Sequence, residues 1–236
     1  MAITDNTFTF LHPMIMIHTA LLDPKPYMEN GKPKGLPKFQ ASFVIDPADQ
    51  KDEWEAFRQH AIMVARAEWP SLDLKTNLSP ANGWPWRSGN VMADKRQAAA
   101  KAKGKDEDPL AFLRGKAVIR AGSGQEYPPR LCGFETGVKG VVEYVDEQRK
   151  AKKSLFRPGM LVLAKVNLKA VIVTNTHYVT AYLNMICSTG KLGMEIQTQK
   201  SAAEVFSGYQ GHVTNEDPTG GETFGNGPFS HDEIPF

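Results

Sequence analysis

The chain has 236 residues, enough to bury a substantial core, and one domain with insertions is the simplest organisation. Residues 1–200 hold all 28 Lys and Arg but only 20 of the 26 acids, a net charge of +8, whereas residues 201–236 carry −6. A basic body with an acidic tail indicates a surface for a polyanion. The two lone cysteines, the absent signal peptide and the lack of a membrane-length apolar stretch predict a cytoplasmic protein.

The first elements are predicted to be a strand, a loop, a second strand and a helix. Phe8 to Thr19 is rich in apolar β-formers, and Asp23 to Pro37 is predicted to be a loop because four prolines interrupt it. Lys38 to Ile45 alternates between apolar and polar residues, which indicates a half-buried strand. A helix is then predicted from Asp46, as its N-cap, to Pro70.

A turn-rich segment, residues 80–89, places two tryptophans beside an arginine. Rigid aromatic rings next to a guanidinium group are suited to stacking on bases and contacting phosphates. Trp84, Trp86 and Arg87 are therefore candidate nucleic-acid contacts. The alternative is that the two indole rings close one side of the core.

The middle of the chain is predicted to contain an exposed insertion followed by a strand and an aromatic loop. Residues 93–108 favour helix but offer no apolar face. Phe112 to Ala121 is predicted to be a strand that carries Arg120, and Tyr127 lies in the following proline-rich loop. Both side chains are candidate nucleic-acid contacts, and a short strand is expected within residues 136–145.

Two late segments give the clearest strand patterns. Met160 to Thr174 alternates with an apolar face of valines, alanines, leucine and isoleucine, and His177 to Cys187 alternates in the same way. If the two pair as a hairpin, one face combines tyrosines and lysines, which can stack on bases and hold phosphates without reading sequence. That face would carry Lys165, Lys169, Tyr178 and Tyr182.

The last 30 residues combine a polar, glycine-rich tether with an acidic, apolar tip. Gly208 to Ser230 has no apolar periodicity, so a flexible tether is expected. The tip offers two acids and two apolar knobs to a pocket ringed by basic residues on another protein. The candidate partner-binding residues are Asp232, Glu233, Ile234, Pro235 and Phe236.

The sequence also resembles known families in two places. The tip resembles the acidic tip of bacterial single-stranded DNA-binding proteins, which recruits replication and repair enzymes. The body resembles a phage family of single-stranded DNA-binding proteins. The segments that carry the second resemblance are residues 38–47, 85–90, 159–167, 181–184 and 201–204.

The strand pattern predicts a mainly β, α+β protein with five or six strands and one main helix, and the resemblance implies an OB-fold-like small barrel with long loop insertions. The expected domains are an OB-fold single-stranded DNA-binding domain, residues 1–206, and a disordered acidic tail, residues 207–236. The predicted function is sequence-nonspecific binding of single-stranded DNA, with recruitment of replication or recombination proteins through the tip.

Other function classes remain as alternatives at this point. One is a protein-interaction adaptor without nucleic-acid binding, and another is a metal-dependent nuclease. The six histidines are scattered and no Walker loop or nucleophile elbow is present, so no enzyme, cofactor or metal is predicted. The sequence is also compatible with a homo-oligomer, and it predicts no membrane partner.

Overall fold

The described residues form a β-sheet that closes into a barrel. The computed structural model describes residues 5–29, 32–79, 83–135, 137–145 and 147–194. Two short 3₁₀ turns, Ala111–Leu113 and Lys153–Phe156, connect some of the elements. The strands are β1 (Thr7–Glu29), β2 (Lys32–Ile45), β3 (Trp86–Ser88), β4 (Ala117–Gly124), β5 (Arg130–Phe134), β6 (Val141–Tyr144), β7 (Met160–Val173) and β8 (Thr176–Leu192), and the helices are α1 (Lys51–Glu68), α2 (Leu74–Asn77), α3 (Gly89–Lys101) and α4 (Glu147–Ala151).

Five of these strands form the barrel. The sheet order runs β3-β4-β2-β1-β7-β8-β5-β6, and a further pairing joins β4 to β8. Because β4 also pairs with β2, this contact closes the ring β1-β2-β4-β8-β7. The closing pair is parallel, whereas every other pair within the ring is antiparallel. The mainly β, OB-fold-like barrel with one main helix is thus confirmed.

Strands β7 and β8 form the predicted hairpin. Thr174 and Asn175 both have positive φ, 48° and 62°, which is the backbone of a tight two-residue turn. Every second residue of β7 from Met160 to Leu168 is buried, so this strand keeps one face toward the core. The opposite face of the hairpin points outward and carries its polar and aromatic residues.

The main helix packs its apolar stripe against the barrel. Phe57, Ala61, Val64 and Ala65 are buried along α1, as their spacing predicts. The Phe57 ring lies 4.9 Å from the Phe10 ring of β1, centroid to centroid. Burial of these aromatic and aliphatic groups stabilises both elements, since each apolar face removes the other from water.

The prediction of a loop over residues 23–37 was wrong. Strands β1 and β2 continue through this region as a long two-stranded ribbon, with Lys25 opposite Lys38 and Glu29 opposite Lys32. The ladder shifts register between Ala20 and Lys25 and again before Tyr27. Proline has no amide hydrogen to donate to a strand ladder. It is tolerated here because no donor is needed at a register shift or at a backbone position that faces the outer edge of the ribbon.

Other predicted boundaries also change. The main helix begins at Lys51, because residues 46–50 form a turn in which the Asp46 carboxylate accepts from the Ala48 amide, 3.0 Å. Strand β4 begins at Ala117, after the first of the two 3₁₀ turns. The described residues form eight strands instead of the five or six expected, since β3 and β5 are too short to show a period.

The predicted insertion at residues 93–108 is organised by one arginine. Most of it belongs to α3, whose first residue, Gly89, is buried with Ala93. Arg114 pairs with Asp94 and with Asp108, each at 2.7 Å. The predicted domain boundary at residues 206 and 207 and the tail lie outside the described residues.

Candidate nucleic-acid interface

An open cleft of about 970 Å³ crosses the outer face of the barrel. We call it the outer cleft; strands β2, β4, β7 and β8 supply its floor, and the loop before β5 supplies one wall. Of the described residues that line it, four are basic and none is acidic. Its main polar and aromatic residues are Lys38, Gln40, Ser42, Arg120, Tyr127, Arg130, Asn167, Lys169, Thr180, Tyr182 and Asn184.

The strand register explains why these side chains share one face. Ala121 and Ala181 are paired across the closing β4–β8 contact and are buried, so their neighbours Gly122 and Tyr182 face outward. Gly122 is also opposite Gln40, and Tyr182 is opposite Asn167. Directly opposed residues project from the same side of a sheet, so the four form one row across the barrel.

Two further rows flank this middle row, two residues away along the strands. On one side, Ser42 is opposite Arg120, and Lys169 is opposite Thr180. On the other side, Lys38 is opposite Gly124. The middle row is therefore uncharged and lies between two rows that carry positive charge.

Two tyrosines give the outer cleft its aromatic surface. Tyr182 is 38% exposed, and the Lys169 ammonium lies 5.2 Å from the centroid of its ring. Tyr127 is 73% exposed, and its amide donates to the Gly124 carbonyl at 3.0 Å, which holds the ring beside the floor. Exposed rings bordered by cations can stack on bases while phosphates are bound nearby.

Basic residues near the outer cleft also act on the imidazole of His18 in β1. The pKa of His18 is lowered, first by partial burial and then by the nearby charges of Arg120 and Lys25. Arg130 contributes less net charge, because its guanidinium is hydrogen-bonded to the Glu143 carboxylate, with one bond of 2.8 Å. That contact lowers the pKa of Glu143 and so keeps the carboxylate charged.

The structure brings four of the predicted site residues into the outer cleft: Arg120, Tyr127, Lys169 and Tyr182. Two more lie on the same outer face but outside the cleft lining. Lys165 is opposite Met185 in β8 and Thr9 in β1, and Tyr178 is opposite Val171 next to the hairpin turn. The shared face of these lysines and tyrosines follows from the β7–β8 pairing.

The remaining three predicted residues lie elsewhere. Trp86 is opposite Ile119 and faces the core, where it contacts Trp54 and Phe57 with centroid distances of 5.5 and 5.9 Å. Trp84 stacks on Trp86 at 4.9 Å with an angle of 17° between the rings. We call Trp54, Trp84 and Trp86 the tryptophan cluster.

Arg87 follows the tryptophan cluster on β3 but points the other way. It is opposite Val118, which belongs to a small second apolar cluster with Val44 and Leu113. Arg87 is half-buried and does not line the outer cleft. A role of these three residues in binding stays a prediction.

The nucleic-acid contacts predicted from the sequence did not include several residues of the outer cleft, chiefly Lys38, Gln40, Arg130 and Asn167. The alternation of β2 did place Lys38 and Gln40 on its outer face. Nothing in the local pattern indicates that this face adjoins β8, because the pairing between β4 and β8 joins segments far apart in the sequence. The site therefore depends on barrel closure.

The described residues also provide information on membrane-spanning helices and on groups of metal ligands. Within the described ranges, no helix is long and apolar enough to cross a membrane. Among the same residues, no group of three or more His, Cys, Asp or Glu side chains could hold a metal ion. The tip, Asp232 to Phe236, lies outside the described residues.

The five-stranded barrel, its closing parallel pair and the main helix together define the class of fold to which the described residues belong. The chain has the fold of phage single-stranded DNA-binding proteins. No family model matches the chain, and a search of curated proteins finds no match.

Similar structures include those of the single-stranded DNA-binding protein from bacteriophage Enc34. The structure in complex with single-stranded DNA aligns with a TM-score of 0.58 and 12% identity, covering 81% of this chain and 89% of that chain. Another structure of the same protein aligns with a TM-score of 0.57 and 10% identity, covering 85% of this chain and 90% of that chain. A C-terminal truncation aligns at 0.55 and 13% identity, covering 81% and 88%. At such identity, these alignments establish the fold.

Proposed function

We propose that the protein binds single-stranded DNA in the outer cleft, without strong dependence on sequence. The observation that carries this proposal is the juxtaposition of two exposed tyrosines with three cations, Lys38, Arg120 and Lys169, over a floor that includes two glycines. Cations bind the backbone phosphates, and the rings stack on bases of any identity. A structurally similar phage protein in complex with single-stranded DNA supports the same proposal.

The structure of the outer cleft suits a single strand better than a duplex. Its aromatic surface consists of exposed tyrosine rings, on which an unpaired base can stack but a base already stacked within a duplex cannot. Its charges flank an uncharged middle row, so phosphates on either side leave the base between them over Gly122 and Tyr182. We infer a binding role rather than a catalytic one, which also disfavours the nuclease alternative.

The direct test is a fluorescence-anisotropy titration of a labelled oligothymidylate, repeated over a range of salt concentrations. The proposal predicts tight binding that weakens with salt, because phosphate neutralisation releases counterions. An unlabelled duplex of equal length should compete only weakly with the labelled oligothymidylate for the protein. An adaptor without nucleic-acid binding would give no change in anisotropy at any salt concentration.

We further propose that the tip recruits a replication or recombination protein while the outer cleft holds DNA. The support is in the sequence: Ile234 and Phe236 stand beside Asp232 and Glu233, which suits an apolar pocket with a basic rim. In a phage-infected bacterium the partner would belong to the cytoplasmic DNA machinery. Deleting Phe236 should abolish capture of that partner yet leave DNA binding nearly unchanged, and retained capture would contradict docking by this residue.

A further inference from the structure

We propose that the middle row of the outer cleft is a slot for one unpaired nucleobase, held at its Watson–Crick edge by the side-chain amides of Gln40 and Asn167. This inference rests on the proposed binding of single-stranded DNA. It adds that the outer cleft binds a base by directed hydrogen bonds as well as by stacking, at a defined place between the two charged rows.

The register of four strands defines the slot. Gln40, Gly122, Tyr182 and Asn167 are successive neighbours across β2, β4, β8 and β7. Neighbouring strands are about 4.8 Å apart, so the backbones at Gln40 and Tyr182 are roughly 10 Å apart with only a glycine between them. A base that lies over Gly122 and the Tyr182 ring therefore has Gln40 on one side and Asn167 on the other.

Gly122 keeps the floor of the slot flat. A methyl group at this position would lie 2.9 Å from the Phe39 carbonyl oxygen and 3.5 Å from Cγ of Gln40. The backbones approach closely here, so a side chain would both strain the sheet and fill the slot. Gly124, in the neighbouring row, differs: a methyl group there would make only an ordinary contact with Tyr127, at 3.8 Å.

Asn167 supplies an unused hydrogen-bonding group at the far side of the slot. Its Oδ1 atom is buried and has no hydrogen-bond partner among the described residues. Burial of an acceptor without a partner costs free energy, which a donor on a bound ligand would recover. The torsion that orients a terminal amide is soft, so a small rotation brings its oxygen or nitrogen to a base above Tyr182.

The chemistry of the two amides identifies the ligand group. Each carboxamide presents one acceptor and one two-proton donor side by side, and the Watson–Crick edge of a nucleobase presents the complementary pattern. In a duplex that edge is occupied by the opposite base. A slot that requires a free edge therefore selects unpaired strands, while the flanking Lys38, Arg120 and Lys169 hold phosphates without regard to base identity.

A matched pair of oligonucleotides separates hydrogen bonding from stacking. One is an oligothymidylate, and the other has the same length but carries N3-methylthymine at every position. The methyl group removes the N3–H donor and blocks the Watson–Crick edge, whereas the ring face and the phosphates are unchanged. The full-length protein should bind the methylated strand about fivefold or more weakly, as expected for loss of one good base contact.

Substitutions assign that difference to the slot. In Asn167→Leu and in Gln40→Leu, the affinities for the two strands should differ less than they do in the parent protein, because each variant has lost a group that contacts the free edge. Gln59→Leu is the control: this exposed amide of α1 donates to the Glu55 carboxylate at 2.7 Å and does not line the outer cleft, so the variant should retain the parent's discrimination. Thermal unfolding of each variant checks its fold, and the half-buried Gln40 gives a usable answer if Asn167→Leu fails to fold.

The outcomes are distinct. Equal affinity of the parent for both strands would overturn the slot while leaving single-stranded DNA binding intact, and no affinity for either strand would overturn the proposed function itself. Full discrimination retained in both slot variants would show that the edge is held by other residues. Loss of discrimination in Gln59→Leu as well would remove the assignment to Gln40 and Asn167.

Discussion

The outer cleft and the tryptophan cluster look alike in the sequence but differ in the folded protein. Each places aromatic residues within a few positions of a basic residue. In the tryptophan cluster the rings of Trp84 and Trp86 stack on each other, and Trp86 meets Phe57 edge to face, toward the core. In the outer cleft, Tyr127 is 73% exposed and Tyr182 is bordered by Lys169. The difference shows that two features decide which aromatic residues are available to a ligand: the side of the sheet to which each side chain points, and the closure of the barrel.

The largest expected effect is a loss of protein stability when the tryptophan cluster is disrupted. Trp86→Ala should lower the free energy of unfolding by roughly 3 kcal/mol, because it opens a cavity beside Trp54 and Phe57. Urea unfolding followed by circular dichroism measures this. If the variant keeps the parent's stability and instead loses oligothymidylate binding, Trp86 stacks on a base and the tryptophan cluster belongs to the binding site, not to the core.

Tyr182 should show the reverse pattern. Tyr182→Ala should weaken oligothymidylate binding by about 1–3 kcal/mol, the value of one lost base stack, with little change in stability. Tyr182→Phe is the matched control, since it keeps the ring and should keep most of the affinity. Anisotropy titrations at one salt concentration measure both variants. Binding by the alanine variant equal to that of the parent would place the stacking surface elsewhere.

The charged rows should appear in the salt dependence. On a single strand each phosphate contact contributes about 0.7 to the slope of log affinity against log salt concentration. Replacing Lys38, Arg120 and Lys169 together by alanine should therefore flatten the slope by roughly two. Lys95→Ala is the control, because this exposed lysine lies on α3 outside the cleft lining. An unchanged slope in the triple variant would remove these residues from the site.

The acidic tail gives the smallest expected effect. Residues 201–236 carry −6, and the flexible tether expected from the composition of residues 208–230 would keep these acids at high effective concentration around the protein's basic residues. Deleting residues 208–236 should then tighten DNA binding modestly at low salt, where charges are least screened. The same deletion made together with the triple alanine change should have no effect. Equal affinities of the full-length and truncated proteins at low salt would contradict competition by the tail.

The sequence predicts part of this architecture well, because some patterns are local. The alternation of β7 and β8, joined by the turn at Thr174 and Asn175, specifies a hairpin and places Lys169 and Tyr182 on one face. The apolar stripe of α1 likewise predicts its packing on the barrel. These features require only neighbouring residues and one buried face.

The rest of the site depends on long-range contacts that a local pattern does not contain. Lys38 and Gln40 reach the outer cleft only because β4 pairs with β2 on one side and with β8 on the other. The exposure of Tyr127 depends on its turn at Gly124, and the burial of Trp86 depends on its pairing with Ile119. The outer cleft and the tryptophan cluster therefore have similar aromatic and basic residues in the sequence. Only the closed barrel shows which of the two exposes its aromatic rings.

Photocrosslinking tests the central claim most directly. Oligothymidylate substituted with 5-iodouracil, irradiated in complex with the full-length protein and analysed by mass spectrometry, reports which aromatic side chains stack on bases. The proposed function predicts crosslinks to Tyr182 and Tyr127, which are lost when excess unlabelled oligothymidylate is added. Crosslinks confined to Trp84 and Trp86, with none in the outer cleft, would contradict it.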